Sequence, residues 1–199
     1  EKVIGLDFSM KELYVDSTGY SANYPRFFRH AQEKLAKEQR KFSHRKPGSK
    51  RYEKQRLKVA KIHEHIANQR KDLLHKESHK LADNFDMVCI EDLNMKSMSQ
   101  CLNFGKSVSD NSWGMFTTYL KYKLEDQGKQ LVKIDKWFPS SKMCHVCGSI
   151  KDDLSLSDRE WDCECGFHLD RDHNAAINIR NFGIKTVGMT GIAQECLQQ

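Results

Sequence analysis

Apolar positions along the 199-residue chain change period several times, and each change marks an element. Val3-Ile4-Gly5-Leu6-Asp7-Phe8 is a short apolar run that ends on an acid, and Leu13-Tyr14-Val15-Asp16 follows it. Ser17-Thr18-Gly19 reads as a turn into a third short strand near Tyr20, so the chain opens as a β meander. From Phe27 the spacing turns helical: Phe28, Ala31, Leu35 and Phe42, then Val59, Ile62, Ile66, Leu73 and Leu81. Pro47-Gly48 interrupts that pattern, which predicts two antiparallel helices joined at a basic tip, each with one apolar stripe.

Met87-Val88-Cys89-Ile90 predicts a buried strand that ends on Glu91-Asp92. The Ser/Asn-rich stretch from Lys96 to Asp110 has no period and reads as a loop close to that strand end. Ser112 is placed to cap a helix carrying Trp113, Phe116, Leu120 and Leu124 on one face and closed by Gly128. Leu131–Ile134 is the next strand, and Asn174–Phe182 a closing helix. The order predicts an α/β fold, a mixed sheet with flanking helices.

Charge sharpens the picture. Residues 26–82 hold 18 Lys and Arg against six Asp and Glu, while the rest of the chain is net acidic. A basic stripe beside an acidic remainder suits a polyanion on one surface and metal-binding carboxylates on another, although long helices also carry basic faces simply for solvation. No run approaches the ~18 apolar residues of a membrane span. Neither a leader nor a membrane partner is expected, and the expected location is the cytoplasm.

Three acids stand out by position. Asp7 and Glu91 terminate apolar runs, and Asp172 lies in Asp170-Arg171-Asp172-His173-Asn174-Ala175-Ala176 at the entry to the last helix. An acid at the end of a buried strand is costly to desolvate unless a cation or hydrogen bonds offset it. Mg²⁺ (or Mn²⁺) takes hard carboxylate oxygens and keeps part of its water shell, so two or three acids suffice. Two such ions would serve in-line displacement at a phosphodiester, one activating water and one stabilising the leaving oxygen.

Seven cysteines are present, four of them between 144 and 165. Cys144-His145-Val146-Cys147-Gly148 is a C-x2-C-G knuckle, and Cys163-Glu164-Cys165-Gly166 follows. Paired cysteines, each pair followed by Gly, predict a structural Cys₄ zinc ribbon. The second pair is C-x-C, which leaves His168 as a substitute for Cys165.

Together these pieces resemble the TnpB/OrfB proteins of bacterial insertion sequences and, more distantly, the type V CRISPR effector nucleases. The matching stretches are Gly5-Leu6-Asp7, Ile90-Glu91-Asp92-Leu93, Pro139–Gly148 with its first knuckle, Asp170–Ile179 and the tail Thr190–Ala193. The resemblance implies an RNase H-like (RuvC) fold with Asp7, Glu91 and Asp172 as a triad holding two Mg²⁺ ions, Asp170 being the reserve. It implies a nuclease core over 1–138 that includes the helical hairpin at about 26–82, a zinc ribbon insert over 139–169, and a C-terminal helix and tail over 170–199. It also implies an RNA-guided DNA endonuclease whose partners are guide RNA, target DNA and an N-terminal recognition region that this sequence does not contain. Within the basic hairpin, Arg40, Lys41, Arg45, Lys46, Lys50, Arg51 and Lys54 are the expected phosphate contacts. Phe27, Phe28 and Tyr52 are expected to pack rather than to stack on bases. The alternative is a cleavage-deficient nucleic-acid-binding regulator of the same fold, a class that typically loses a triad acid. A generic junction-resolving or RNase H enzyme would lack the ribbon, and a purely structural zinc module would not need acids at two strand ends.

Overall fold

The computed structural model describes residues 2–9, 11–94, 112–155 and 157–196, with side chains through residue 188. The predicted loop over Lys96–Asp110, Cys101 and the side chains of Thr190–Ala193 lie outside this set. The chain divides into two compact units, Pro25–Glu77 and the remainder.

The larger unit is built on a four-stranded mixed sheet in the order β2-β1-β3-β4. Its strands are β1 (Val3–Phe8), β2 (Tyr14–Asp16), β3 (Met87–Glu91) and β4 (Gln130–Ile134). β1 pairs antiparallel with β2 and parallel with β3, and β3 pairs parallel with β4. Parallel central strands are covered on both faces, which is why β1 and β3 read as near-continuous apolar runs. The predicted third meander strand near Tyr20 is reduced to a single bridge between Val15 and Ser21. The Asp16 carboxylate explains this, since it accepts the N–H groups of Thr18 and Tyr20 and rounds the chain into a tight turn.

Helix α3 (Trp113–Asp126) belongs to one face of the sheet, where Phe116 stacks on Tyr14 at 5.6 Å and Trp113 meets Phe8 at 5.4 Å. Ser112 precedes α3 but sits in the left-handed region at φ 56° and makes no side-chain cap. The expected hydroxyl cap is therefore not formed. Gly128 closes the helix with φ 68°, as its position predicts.

Helix α4 (Arg171–Cys196) covers the other face and runs much longer than the predicted Asn174–Phe182. Two glycines let it lie directly on the sheet. A Cβ on Gly5 would stand 2.1 Å from the Ala176 carbonyl oxygen, and one on Gly183 would stand 2.3 Å from the Cys89 sulfur. The helix continues through Gly183, one residue past the predicted end, where it lies close on Cys89. Around it Ile179, Cys89, Met87 and Ile134 form a core patch, flanked by Phe138 stacked on Phe182 at 4.3 Å.

The cysteine segment carries a small hairpin, β5 (Glu160–Asp162) against β6 (His168–Asp170), which leads straight into α4. Among the described residues its core is Cys144, Trp161, Cys163 and Leu169, with Leu154 against them.

The smaller unit holds helix α1 (Phe27–Ser43) and most of the 35-residue helix α2 (Lys50–Asn84). The break falls at Pro47-Gly48 as predicted, with Gly48 at φ 77° and the Ser49 hydroxyl accepting the Tyr52 N–H to start α2. Gln55 donates to the carbonyl and carboxylate of Glu38 on α1, and Phe42 packs on Tyr52 at 4.7 Å. On α2 the buried apolar positions are Ile66, Leu74, Leu81 and Ala82, so Leu74 rather than Leu73 joins the predicted Ile66 and Leu81 in the stripe.

Candidate functional site

Strand register brings two of the predicted acids together. Leu6 pairs with Ile90 across parallel strands, so Asp7 and Glu91, one residue further on each, leave the sheet on the same face. Asp7 is the fifth of the six residues of β1, paired with Val15, rather than a residue beyond the strand. Val3, Gly5 and Asp7 share the face covered by α4. The Ala176 carbonyl lies over Gly5, and Asp172 is one helical turn before it. The third acid is thus delivered by helix packing.

Electrostatics report the same convergence. The Asp7 carboxyl is raised well above the usual range, first by desolvation, then by the charges of Glu91 and Asp172, with Arg171 opposing and Asp170 adding. Burial also raises Glu91, while the Ser140 hydroxyl, which donates to its Oε1, works in the opposite direction. Asp172 is held by two guanidinium groups, Arg159 at 3.2 Å and Arg171 at 3.0 Å. Asp170 is exposed and accepts the His173 N–H at 2.8 Å, the work of a helix cap. Burial and the neighbouring charges of Glu91 and Asp172 thus act together against ionisation of the Asp7 carboxyl.

The four cysteine sulfurs of Cys144, Cys147, Cys163 and Cys165 all lie within 4.8 Å of one another. Ser149 bonds hold the Cys147 thiol down to about 6. A backbone bond from Phe167 favours the Cys165 thiolate, yet Cys163 and the other sulfurs push that thiol up to about 12. Thiolates that crowd one another in this way fit a soft divalent cation. His168 turns away from the sulfurs, with Nδ1 on Asp162 at 2.8 Å and Nε2 on Glu160 at 3.4 Å.

Pattern reading passed over five residues around these centres: Ser140, Arg159, Arg171, Asn174 and Asn178. Asn174 and Asn178 are 1% and 2% exposed and stand four residues apart on the buried face of α4. Two amides at helical spacing inside an apolar run were the available signal. Of the predicted nucleic-acid contacts, Arg40, Lys41, Arg45, Lys46, Lys50, Arg51 and Lys54 are all exposed, and Lys41 pairs with Glu38 at 2.7 Å. A broad groove of about 840 Å³ lies beyond the ends of β3 and β4, lined in part by Asp92, Lys133 and Trp137. No helix among the described residues is long and apolar enough to cross a membrane.

The family OrfB_IS605, described as "Probable transposase", matches residues 1–102, and "Cas12f1-like, TNB domain" matches residues 113–179. A "Putative RNA-guided DNA endonuclease" of Streptomyces pristinaespiralis is 40% identical over 181 residues, covering 91% of this chain and 45% of that protein. The protein of Escherichia coli called "Putative RNA-guided DNA endonuclease InsQ" is 30% identical over 193 residues, 89% of this chain and 48% of its own length. The chain therefore spans about half the length of these curated relatives. A chain in the cryo-EM structure of a Cas12f1-sgRNA-target DNA complex shares the fold, with a TM-score of 0.65 at 22% identity, over 90% of this chain and 50% of that one.

Proposed function

This chain belongs to the OrfB_IS605 transposase family, and from that premise we propose that it is the nuclease half of an RNA-guided DNA endonuclease. The observation that carries the reading is the convergence of Glu91 and Asp172 on the buried Asp7 carboxyl. In this reading the sheet with α3 and α4 is an RNase H-like (RuvC) core interrupted by a zinc ribbon over 139–169. The domain division is 1–138, 139–169 and 170–199.

Asp7, Glu91 and Asp172 would hold Mg²⁺ or Mn²⁺, which supplies an activated water and charge stabilisation for phosphodiester hydrolysis. The protein's own part is positional. β1 and β3 fix two carboxylates in register, and α4 brings the third. Arg159 and Arg171 balance Asp172 and are placed to meet phosphate oxygens when substrate arrives. Cys144, Cys147, Cys163 and Cys165 would hold one structural Zn²⁺, because four protein ligands leave no open position. The exposed bases of α1, its connection and α2 would contact nucleic-acid phosphates without reading sequence. Guide RNA and target DNA are the partners that the relatives' names suggest, and an N-terminal recognition region is the further partner that the family resemblance implies.

All three acids are present, which favours cleavage over a binding-only role. The test is cutting of labelled DNA with Mg²⁺ or Mn²⁺, by this chain alone and with the rest of the protein and its RNA supplied. Metal-dependent cutting lost in both Asp7→Ala and Glu91→Ala is the expected result. Cutting that survives either substitution would refute the assignment.

A further inference from the structure

We propose that Ser140 is a positioning residue for Glu91, held in place by Asn174 and Asn178. In this arrangement the segment leading into the first cysteine knuckle sets the geometry of a nuclease carboxylate. The inference rests on the functional reading above and deepens it.

Ser140 is 5% exposed and its hydroxyl donates to Glu91 Oε1. It belongs to no helix or strand, so something else must hold its backbone. The side-chain amide of Asn178 donates to the Ser140 carbonyl at 2.8 Å and to the Met143 carbonyl at 2.6 Å. Asn174 donates to the same Met143 carbonyl at 2.8 Å, and its Oδ1 accepts the His145 N–H at 3.0 Å. One helix face thus grips residues 140, 143 and 145 together. Upstream, Phe138 is fixed by its stack on Phe182, and its carbonyl accepts the Ser140 N–H at 2.8 Å.

Burying two carboxamides is expensive unless their polar atoms are satisfied. Here they are satisfied by the backbone of this irregular segment. Moving the segment would orphan both amides, so their bonds restrain the backbone that carries the Ser140 hydroxyl. A glutamate has three side-chain torsions and, at a strand end, freedom to swing. Bonding Oε1 to a fixed hydroxyl restrains that swing and leaves the second oxygen available to a cation. Ordering a ligand before the metal arrives lowers the entropic cost of binding, and losing such an outer partner typically weakens metal affinity about 10–100-fold. Ser140 touches neither metal nor substrate in this scheme and acts only through Glu91.

The test uses the zinc-loaded 199-residue chain and Mn²⁺ as the probe, with binding followed by electron paramagnetic resonance and zinc content measured in parallel. Asp7→Asn identifies the signal that belongs to the carboxylate site. Ser140→Ala is expected to weaken Mn²⁺ binding there by about tenfold or more while one zinc per chain is kept. Ser140→Thr, which retains the hydroxyl, is expected to bind as the native chain does. An alanine variant that binds Mn²⁺ as tightly as the native chain, or a threonine variant as impaired as alanine, overturns the positioning role and leaves the nuclease reading standing. Mn²⁺ binding untouched by Asp7→Asn overturns both.

Discussion

Asp7 and Glu91 stand side by side on parallel strands, each one residue past the paired Leu6 and Ile90, and both point to the face that α4 covers. Neighbouring strands lie ~4.8 Å apart, so two carboxylates in this relation repel unless a proton or a cation lies between them. Much of the protein's expected behaviour follows from that pair.

The first consequence is a stability that depends on pH. Desolvation and then the Glu91 and Asp172 charges raise the Asp7 carboxyl, and Glu91 shifts the same way. An acid whose folded pKa lies above its unfolded value contributes stability at low pH and loses it as pH rises through the folded pKa. Without added Mg²⁺, the native chain should therefore lose stability relative to Asp7→Asn as pH rises from about 4 toward neutrality. Taking the difference removes the opposite contributions of Asp86 and Asp158, which are lowered by backbone bonds from Lys2 and Ser155. Melting curves across that range check the slope, and Mg²⁺ at neutral pH should recover the stability of the native chain but not that of the variant.

Loss of either strand acid should also reduce metal-dependent cleavage by more than about 10²-fold, since even a 1 Å misplacement at such a site costs that much. Single-turnover rates for Asp7→Asn and Glu91→Gln at saturating Mn²⁺ measure it.

Zinc removal should unfold the ribbon hairpin. Among the described residues its core is Trp161, Leu169 and Leu154 around the cysteines, a small apolar area of the kind that depends on metal to fold. A zinc-selective chelator, or Cys144→Ser, should expose Trp161 and shift its emission to the red, while the far-ultraviolet helix signal changes little. Unchanged Trp161 emission in a fully zinc-free chain would contradict this.

Gly5→Ala tests the packing that delivers the third acid. The new methyl would meet backbone on both sides, the Ala176 carbonyl oxygen at 2.1 Å and the Arg180 nitrogen at 2.6 Å, and neither can rotate away. Overpacking of this kind costs about 1–3 kcal/mol, which for a chain of this length lowers the melting midpoint by several degrees, at ~2–4 °C per kcal/mol. Mn²⁺ affinity should fall with it, because α4 carries Asp172.

The basic helices should bind nucleic acid in a salt-dependent way. Replacing Arg45, Lys46, Lys50 and Arg51 by Gln should weaken binding equally for unrelated sequences. The slope of log K against log salt should become shallower by about 0.7–0.9 for each phosphate that is no longer neutralised. Fluorescence anisotropy at several salt concentrations, beside a melting curve of the same variant, separates this from a failure to fold.

Sequence by itself determined whatever is local or periodic. Parallel strands buried on both faces must be apolar throughout, which made β1 and β3 visible, and a Pro-Gly pair must break a helix, which separated α1 from α2. The C-x2-C-G knuckle is legible because ligand spacing and a turn glycine are both short-range requirements. Tertiary structure decided everything set by approach between distant segments. The closing helix is predicted to end at Phe182, yet α4 runs on through Gly183, where only a hydrogen fits against Cys89. Ser112 reads as a cap, yet it takes a left-handed backbone and its hydroxyl makes no cap bond. Ser140 is one of two serines in a polar tetrapeptide, and nothing local marks it as the one that meets Glu91, 49 residues earlier. Asn174 and Asn178 could have been read as solvated helix positions, but packing of α4 on the sheet buries them and makes the ribbon's leading segment their partner. Local energetics select the residue types at a site, while burial and strand register select which of them meet.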